Sequence, residues 1–171
     1  RSDNGFDFYP SLDAADADDD NRKECWSTSN SQRFNVCEIG ETENFTKKVF
    51  AVGDSHAAAY LGAFDLLGKE QGWKIYFAGK GGCFWTAAPL KKPENPNTQY
   101  CLEWRDKIQN YLDENPPFDF IIATNSARTA RGVLTAEGET FEKPATEGLV
   151  EAWLTQTTRG VPIFAIKDSP F

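Results

Sequence analysis

The sequence contains no methionine and a single histidine, and none of its four cysteines forms a C-x-x-C pair. Zinc centres are built from paired cysteine or histidine ligands at short spacing, so that class of site is excluded. Basic residues are also in short supply. Lys and Arg number 18 against 26 Asp and Glu, a formal net charge of −8. With so little to neutralise phosphates, general nucleic-acid binding is excluded too. No apolar run approaches the ~20 residues that cross a bilayer, and neither a signal peptide nor an internal repeat is visible. The 171 residues make one domain, able to bury roughly two-thirds of the surface its unfolded chain exposes. The start at Arg1, the lack of methionine and the stop on Phe171 after a strand-like segment read as a piece excised from a longer protein.

What is present begins with an even set of cysteines, Cys25, Cys37, Cys83 and Cys101. Two disulfides in an oxidising compartment fit better than four buried free thiols, so an extracytoplasmic location is expected. Three connectivities are open; nearest-neighbour pairing, Cys25–Cys37 and Cys83–Cys101, would close two short loops. Residues 1–24 read as a flexible acidic linker and residues 25–171 as the domain. The alternating Asp16, Asp18 and Asp20 hint at a calcium loop, but Asn21 stands where such a loop needs glycine and Ser27 where it needs glutamate.

From Lys48 the pattern becomes regular. Val49–Val52 is a short apolar run feeding the turn Gly53-Asp54-Ser55-His56, which reads as a buried strand and its exit. A helix is expected over 57–70, with Tyr60, Phe64 and Leu67 at helical spacing and Gly72 closing it. Trp73–Ala78 reads as a second strand, followed by the Gly-rich segment Gly79-Lys80-Gly81-Gly82-Cys83. A helix from about Cys101 carries Trp104, Ile108 and Tyr111 on one face, and Pro116-Pro117 stops it. A third strand, Phe118–Thr124, opens into Asn125-Ser126-Ala127-Arg128. A helix starting at Pro144 and ended by Gly160 leads to a fourth strand, Val161–Ile166, and a loop at Asp168-Ser169-Pro170. Strands alternating with amphipathic helices mean an α/β fold with a parallel sheet. In such sheets the working residues gather at the carboxyl ends of the strands. Those ends carry Asp54-Ser55, Gly81-Gly82, Asn125 and Asp168.

Ser55 between a strand and a helix can act as a nucleophile while its own N–H, at a helix N-terminus, helps hold an oxyanion. The Gly81-Gly82 turn can bring a second N–H close, and Asn125 a side-chain N–H. Taken singly, these residues are equally explained as an N-cap, a turn and a strand terminator; together at matched strand ends they point to acyl transfer. His56 directly follows the serine, and neighbours on a helix do not face each other, so it is expected to support or pack rather than serve as the base. The base is expected from chain beyond these residues or from a partner. Trp85, in the Gly-rich loop, is a candidate sugar-stacking face. The Asp54-x-His56 pattern also opens the metal site of calcineurin-like phosphatases, which need further histidines that this chain lacks.

Gly53-Asp54-Ser55-His56 resembles the first block of the SGNH (GDSL-like) esterase and acyltransferase superfamily. Gly82 matches the second-block glycine, with Gly81 as the alternative. Ala123-Thr124-Asn125-Ser126 is similar to the third block, Gly-x-Asn-Asp, with its first and last residues replaced. The nearer likeness, over about Cys25 to Phe171, is to the extracytoplasmic SGNH domain fused to bacterial membrane acyltransferases of family three. It is carried by Gly-Asp-Ser-His-Ala, the Gly-Cys after the second strand, Cys101-x-x-Trp104, the paired cysteines and Lys167-Asp168-Ser169-Pro170. The resemblance implies a flavodoxin-like three-layer α/β fold whose C-terminal part is missing here. It implies Ser55 as nucleophile, Ser55, Gly82 and Asn125 as the oxyanion hole, and Asp54 and His56 in support. The family's fourth block, Asp-x-x-His, would supply the base from beyond residue 171, leaving Asp168 to loop structure. No cofactor or metal is implied. A membrane domain, in the same full-length chain, would deliver an acyl group, usually acetyl, for transfer to an envelope glycan or glycolipid. A secreted esterase or deacetylase using the same serine, and a glycan-binding module without chemistry, are the rival expectations.

Overall fold

The computed structural model describes residues 22–168. The acidic segment with Asp16, Asp18, Asp20 and Asn21, and the turn residues Ser169 and Pro170, lie outside the described residues. The strands are β1 (Trp26–Ser27), β2 (Cys37–Gly40), β3 (Lys47–Gly53), β4 (Trp73–Lys80), β5 (Phe120–Thr124) and β6 (Ile163–Ile166). The helices are α1 (Ser55–Ala58), α2 (Leu61–Gln71), α3 (Pro96–Glu114), α4 (Ala127–Ala130) and α5 (Glu142–Thr157). The sheet runs β1-β4-β3-β5-β6 with all of these neighbours parallel, while β2 pairs antiparallel with β4.

The middle strand explains the layering. Val49, Phe50, Ala51 and Val52 are all buried, as expected of a strand covered on both faces. Val49 and Ala51 pack with Ile75, Phe77, Ile122 and, from α2, Leu61 and Phe64. Phe50 and Val52 face the other way, onto Trp104, Ile108 and Leu112 of α3 and Ala152 of α5. The result is the helix–sheet–helix sandwich the sequence leads one to expect.

Several boundaries differ from expectation, each for a local reason. The helix expected over 57–70 is two pieces with a turn at Ala59–Tyr60. In α1 only Ala57 is buried, and the piece is fixed by polar contacts at its start; α2 is fixed by Leu61 and Phe64 against the sheet. Helix α3 starts before Cys101, because Asn95 caps it through the Asn97 N–H and Pro96 occupies its first turn. Strands β1 and β2 carry no apolar alternation, so nothing in the sequence announces them. They are held to β4 by pairing and to each other by the Cys25–Cys37 disulfide. A second disulfide, Cys83–Cys101, ties the loop after β4 to α3. Arg105 of α3 ties down the same loop, donating from Nε to the Phe84 carbonyl and from Nη1 to that of Ala88; burial brings its guanidinium down to about 10.

Asp65 on α2 fastens the N-terminal edge. It accepts from Arg22 Nη2 at 2.9 Å, Lys69 Nζ at 2.8 Å and the Gly40 N–H at 2.7 Å. Burial works to raise its pKa, but the bonds from Arg22, Lys69 and Gly40 outweigh it and hold the carboxyl at about 2. A folded-state pKa below the unfolded one stabilises the fold above the unfolded value, and that contribution is lost as pH falls from about 4 to 2. Asp65→Asn is therefore expected to lose about 2 kcal/mol at neutral pH by urea denaturation, with the difference from wild type closing near pH 2. A pH-independent difference would show that the charge is not what stabilises.

Candidate active site

Register brings the strand ends together. Gly53 of β3 lies beside Gly79 of β4 and Thr124 of β5, and Thr124 beside Ile166 of β6. The segments Lys80-Gly81-Gly82, Asp54-Ser55, Asn125-Ser126 and Lys167-Asp168 thus leave from one edge of the sheet. Since β4 lies to one side of β3 and β5 to the other, this is where the strand order reverses, the usual crevice of open α/β sheets.

Gly53 allows this closeness: a Cβ there would sit 1.8 Å from the Thr124 carbonyl oxygen. Asp54 follows, extended and fully buried. Its Oδ1 accepts from the His56 N–H at 2.9 Å, and its Oδ2 from the Ser126 N–H at 2.9 Å and from the Thr129 hydroxyl. One carboxylate thereby caps α1 and joins it to the segment leaving β5. Ser55, in the first turn of α1, is exposed, and its hydroxyl makes no hydrogen bond among the described residues. Because α1 has only four residues, Ser55 does not stand on the long helix dipole expected from the sequence; only the N–H groups of a single turn are near it.

His56 does not bond the serine. Its Nδ1 lies 2.7 Å from Asp168 Oδ1, and Asp168 Oδ2 accepts from the Ala127 N–H at 3.2 Å. Asp168 does sit in the loop after β6, as expected, but it clamps α1 to α4, which loop assignment alone does not convey. The pair spans 112 positions of sequence, so no local pattern could show it. Ser126 and Thr129, the partners of Asp54, likewise lie too far along the chain for a local pattern to show them. Ser126 also caps α4 through the Arg128 N–H, and a serine straight after a strand is the signal that could have found it.

Of the two glycines, Gly81 donates its N–H to the Ser27 carbonyl at 2.8 Å. Gly82 is exposed with φ +66°, a conformation that favours glycine, and its N–H has no acceptor among the described residues. The Asn125 amide donates to the Ser126 carbonyl at 3.2 Å. Trp85 is 4% exposed and packed in the core with Trp104 and Cys101. It is no sugar-stacking face, because the disulfide and α3 enclose the loop that bears it.

A family model described as "SGNH domain (fused to AT3 domains)" matches residues 19–168. Neither the curated proteins nor the solved structures yield a match.

Proposed function

Because the chain belongs to the family of SGNH domains fused to AT3 domains, we propose that it is an extracytoplasmic O-acyltransferase domain that passes an acyl group, acetyl in the first instance, through Ser55 to a hydroxyl of an envelope glycan or glycolipid. The observation that carries this reading is the setting of Ser55: exposed, unengaged, and held at a strand exit by the buried Asp54 carboxylate. The two disulfides support an oxidising compartment.

In this reading the Ser55 oxygen attacks the carbonyl of the acyl donor that the membrane acyltransferase domain delivers. The serine proton passes to a histidine base, and the donor's leaving oxygen departs with a proton. The glycan hydroxyl then attacks the Ser55 ester, gives its proton to the same base, and leaves as the acylated product while Ser55 regains its own. The N–H groups of Ser55 and Gly82 and the amide of Asn125, once turned from the Ser126 carbonyl, hold the negative oxygen of each tetrahedral intermediate. With His56 engaged by Asp168 and not by Ser55, the base is a histidine outside residues 1–171. The chemistry calls for no metal or cofactor.

The test is an acyl-enzyme trap. Full-length protein is exposed to an activated acetyl ester, quenched in acid and digested. An acetyl group on the peptide bearing Ser55 is the expected result, and acetylation confined to lysines would reject the serine.

One observation favours a second assignment of the base. A carboxylate on His56 Nδ1 at 2.7 Å is the imidazole–carboxylate half of a serine triad. His56→Ala separates the two. A brace is expected to cost about tenfold in turnover, with the pH–rate profile unmoved. A loss as deep as that of a serine variant would make His56 the base.

A further inference from the structure

Four charged side chains are buried among the described residues: Asp54, Asp65, Lys80 and Arg105. Asp54 joins α1 to the segment leaving β5, Asp65 fastens the N-terminal edge, and Arg105 ties down the loop after β4. Lys80, the last residue of β4, stands immediately before Gly81-Gly82. It is 1% exposed, and its ammonium forms no ion pair with a carboxylate among the described residues. Burial pulls its pKa down, as it does for a cation that has left water without gaining a close counter-ion. Such a charge costs stability, and an apolar side chain of similar size would pack at least as well. What the ammonium adds is therefore position.

Its bonds show what is positioned. Lys80 Nζ donates to the Thr28 carbonyl at 3.1 Å and to the Ser31 carbonyl, which fixes the segment 28–31. That segment lies against the two glycines. A Cβ on Gly82 would meet the Ser29 Cβ at 3.8 Å, and one on Gly81 would lie 3.5 Å from the Ser29 nitrogen. The glycines form the middle of a turn that the Cys83 N–H closes onto the Lys80 carbonyl at 3.1 Å, with Gly82 third at φ +66°. The Gly82 N–H belongs to the peptide between the glycines, whose groups take no part in the bond that closes the turn. Side chains restrict how such a peptide rotates in most turns. Between two glycines it turns over at little cost, and a half-turn would put the Gly81 carbonyl where the N–H had been. The wall beside it decides which of the two groups faces the site.

We propose that Lys80 is a positioning residue of the oxyanion hole: by holding segment 28–31 against the Gly81-Gly82 turn, it keeps the Gly82 N–H turned to the developing negative oxygen. This role rests on the oxyanion function given to Gly82 under the proposed function.

The test is Lys80→Met in the full-length protein, a change that nearly keeps the volume and removes the donor. Thr28 is exposed and Ser31 half-buried, so their carbonyls can turn to water, and the thermal midpoint is expected to move by no more than about 4 °C. Amide exchange at Gly81, whose N–H is bonded to the Ser27 carbonyl, is expected to quicken about tenfold or more as the wall loosens. Turnover of an activated acetyl ester is expected to fall about tenfold or more with KM within about twofold of wild type, because an oxyanion donor acts in the transition state and not on the bound ester. Lys80→Gln, which returns an N–H donor on a shorter chain, is expected to recover part of the turnover. Turnover equal to wild type, a loss carried by KM, or unchanged exchange at Gly81 would overturn the role. So would a midpoint lowered by more than about 10 °C in both variants, which would make Lys80 a support of the whole fold. A wild type that leaves Ser55 unacetylated would sink the proposed function and this role with it. A wild type that acetylates Ser55, beside a Lys80→Met protein that turns over equally well, would sink the role alone.

Discussion

Replacing Ser55 with alanine is expected to lower ester turnover of the full-length protein by about a thousandfold or more, while moving its thermal midpoint by no more than about 2 °C. The two halves of this expectation have separate causes. Turnover falls because no other described hydroxyl at the strand ends is both exposed and unengaged: Thr124 and Ser126 are buried and Thr129 donates to Asp54. Stability holds because Ser55 is exposed and its hydroxyl bonds to nothing among the described residues, so the substitution removes no folded-state interaction. Initial rates on an acetyl ester and a melting curve measured on one preparation settle both. Equal turnover in the two proteins would remove Ser55 from the chemistry and favour a glycan-binding module. Acyl transfer to a glycan and release to water both need the serine, so the choice between transferase and esterase rests instead on whether the added glycan or free acetate carries the label.

Asp54→Ala is expected to behave in the opposite way, losing about 3–5 kcal/mol of stability and most of the turnover together. Asp54 is fully buried, and its carboxylate is the acceptor for the N–H groups of His56 and Ser126 and for the Thr129 hydroxyl. Alanine leaves these donors without an acceptor, in a space too enclosed for each to find water. For a chain of this length the midpoint should fall by about 10 °C. Asp54→Asn keeps one carbonyl oxygen and is expected to recover part of the stability. Urea denaturation followed by circular dichroism reads the difference, and assays run well below the lowered midpoint separate lost chemistry from lost fold. A change under about 1 kcal/mol would mean that the strand exit is held by packing alone.

How much of this is legible in sequence depends on the range of the interaction concerned. Val49–Val52, the strand before Gly79 and the strand ending at Thr124 announce themselves because parallel strands buried on both faces are continuous apolar runs. Their carboxyl ends follow from connectivity, so Ser55, Gly82 and Asn125 are placed at one edge by residue order alone. Strands of two and four residues, one with Glu38 paired to Lys74 at its centre, carry no period and cannot be read. Side-chain direction is invisible as well. The Asn125 amide faces its own neighbour, Trp85 turns inward, and His56 meets Asp168 across most of the domain. Such facts are set by packing between segments far apart in the chain.

The long reach of these contacts also fixes when the serine is ready. Asp54 meets Ser126 across 72 positions and Thr129 across 75, and His56 meets Asp168 across 112. Closing loops of that length comes late, after the local helices and the β3–β4 crossover can form. A chain still emerging during synthesis, or threading through a translocation pore, therefore holds Ser55 in an unstructured turn with no braced neighbour. On the proposed reading, Ser55 would become competent only with the final strand pairings, and an unfinished domain would not capture acyl groups out of turn.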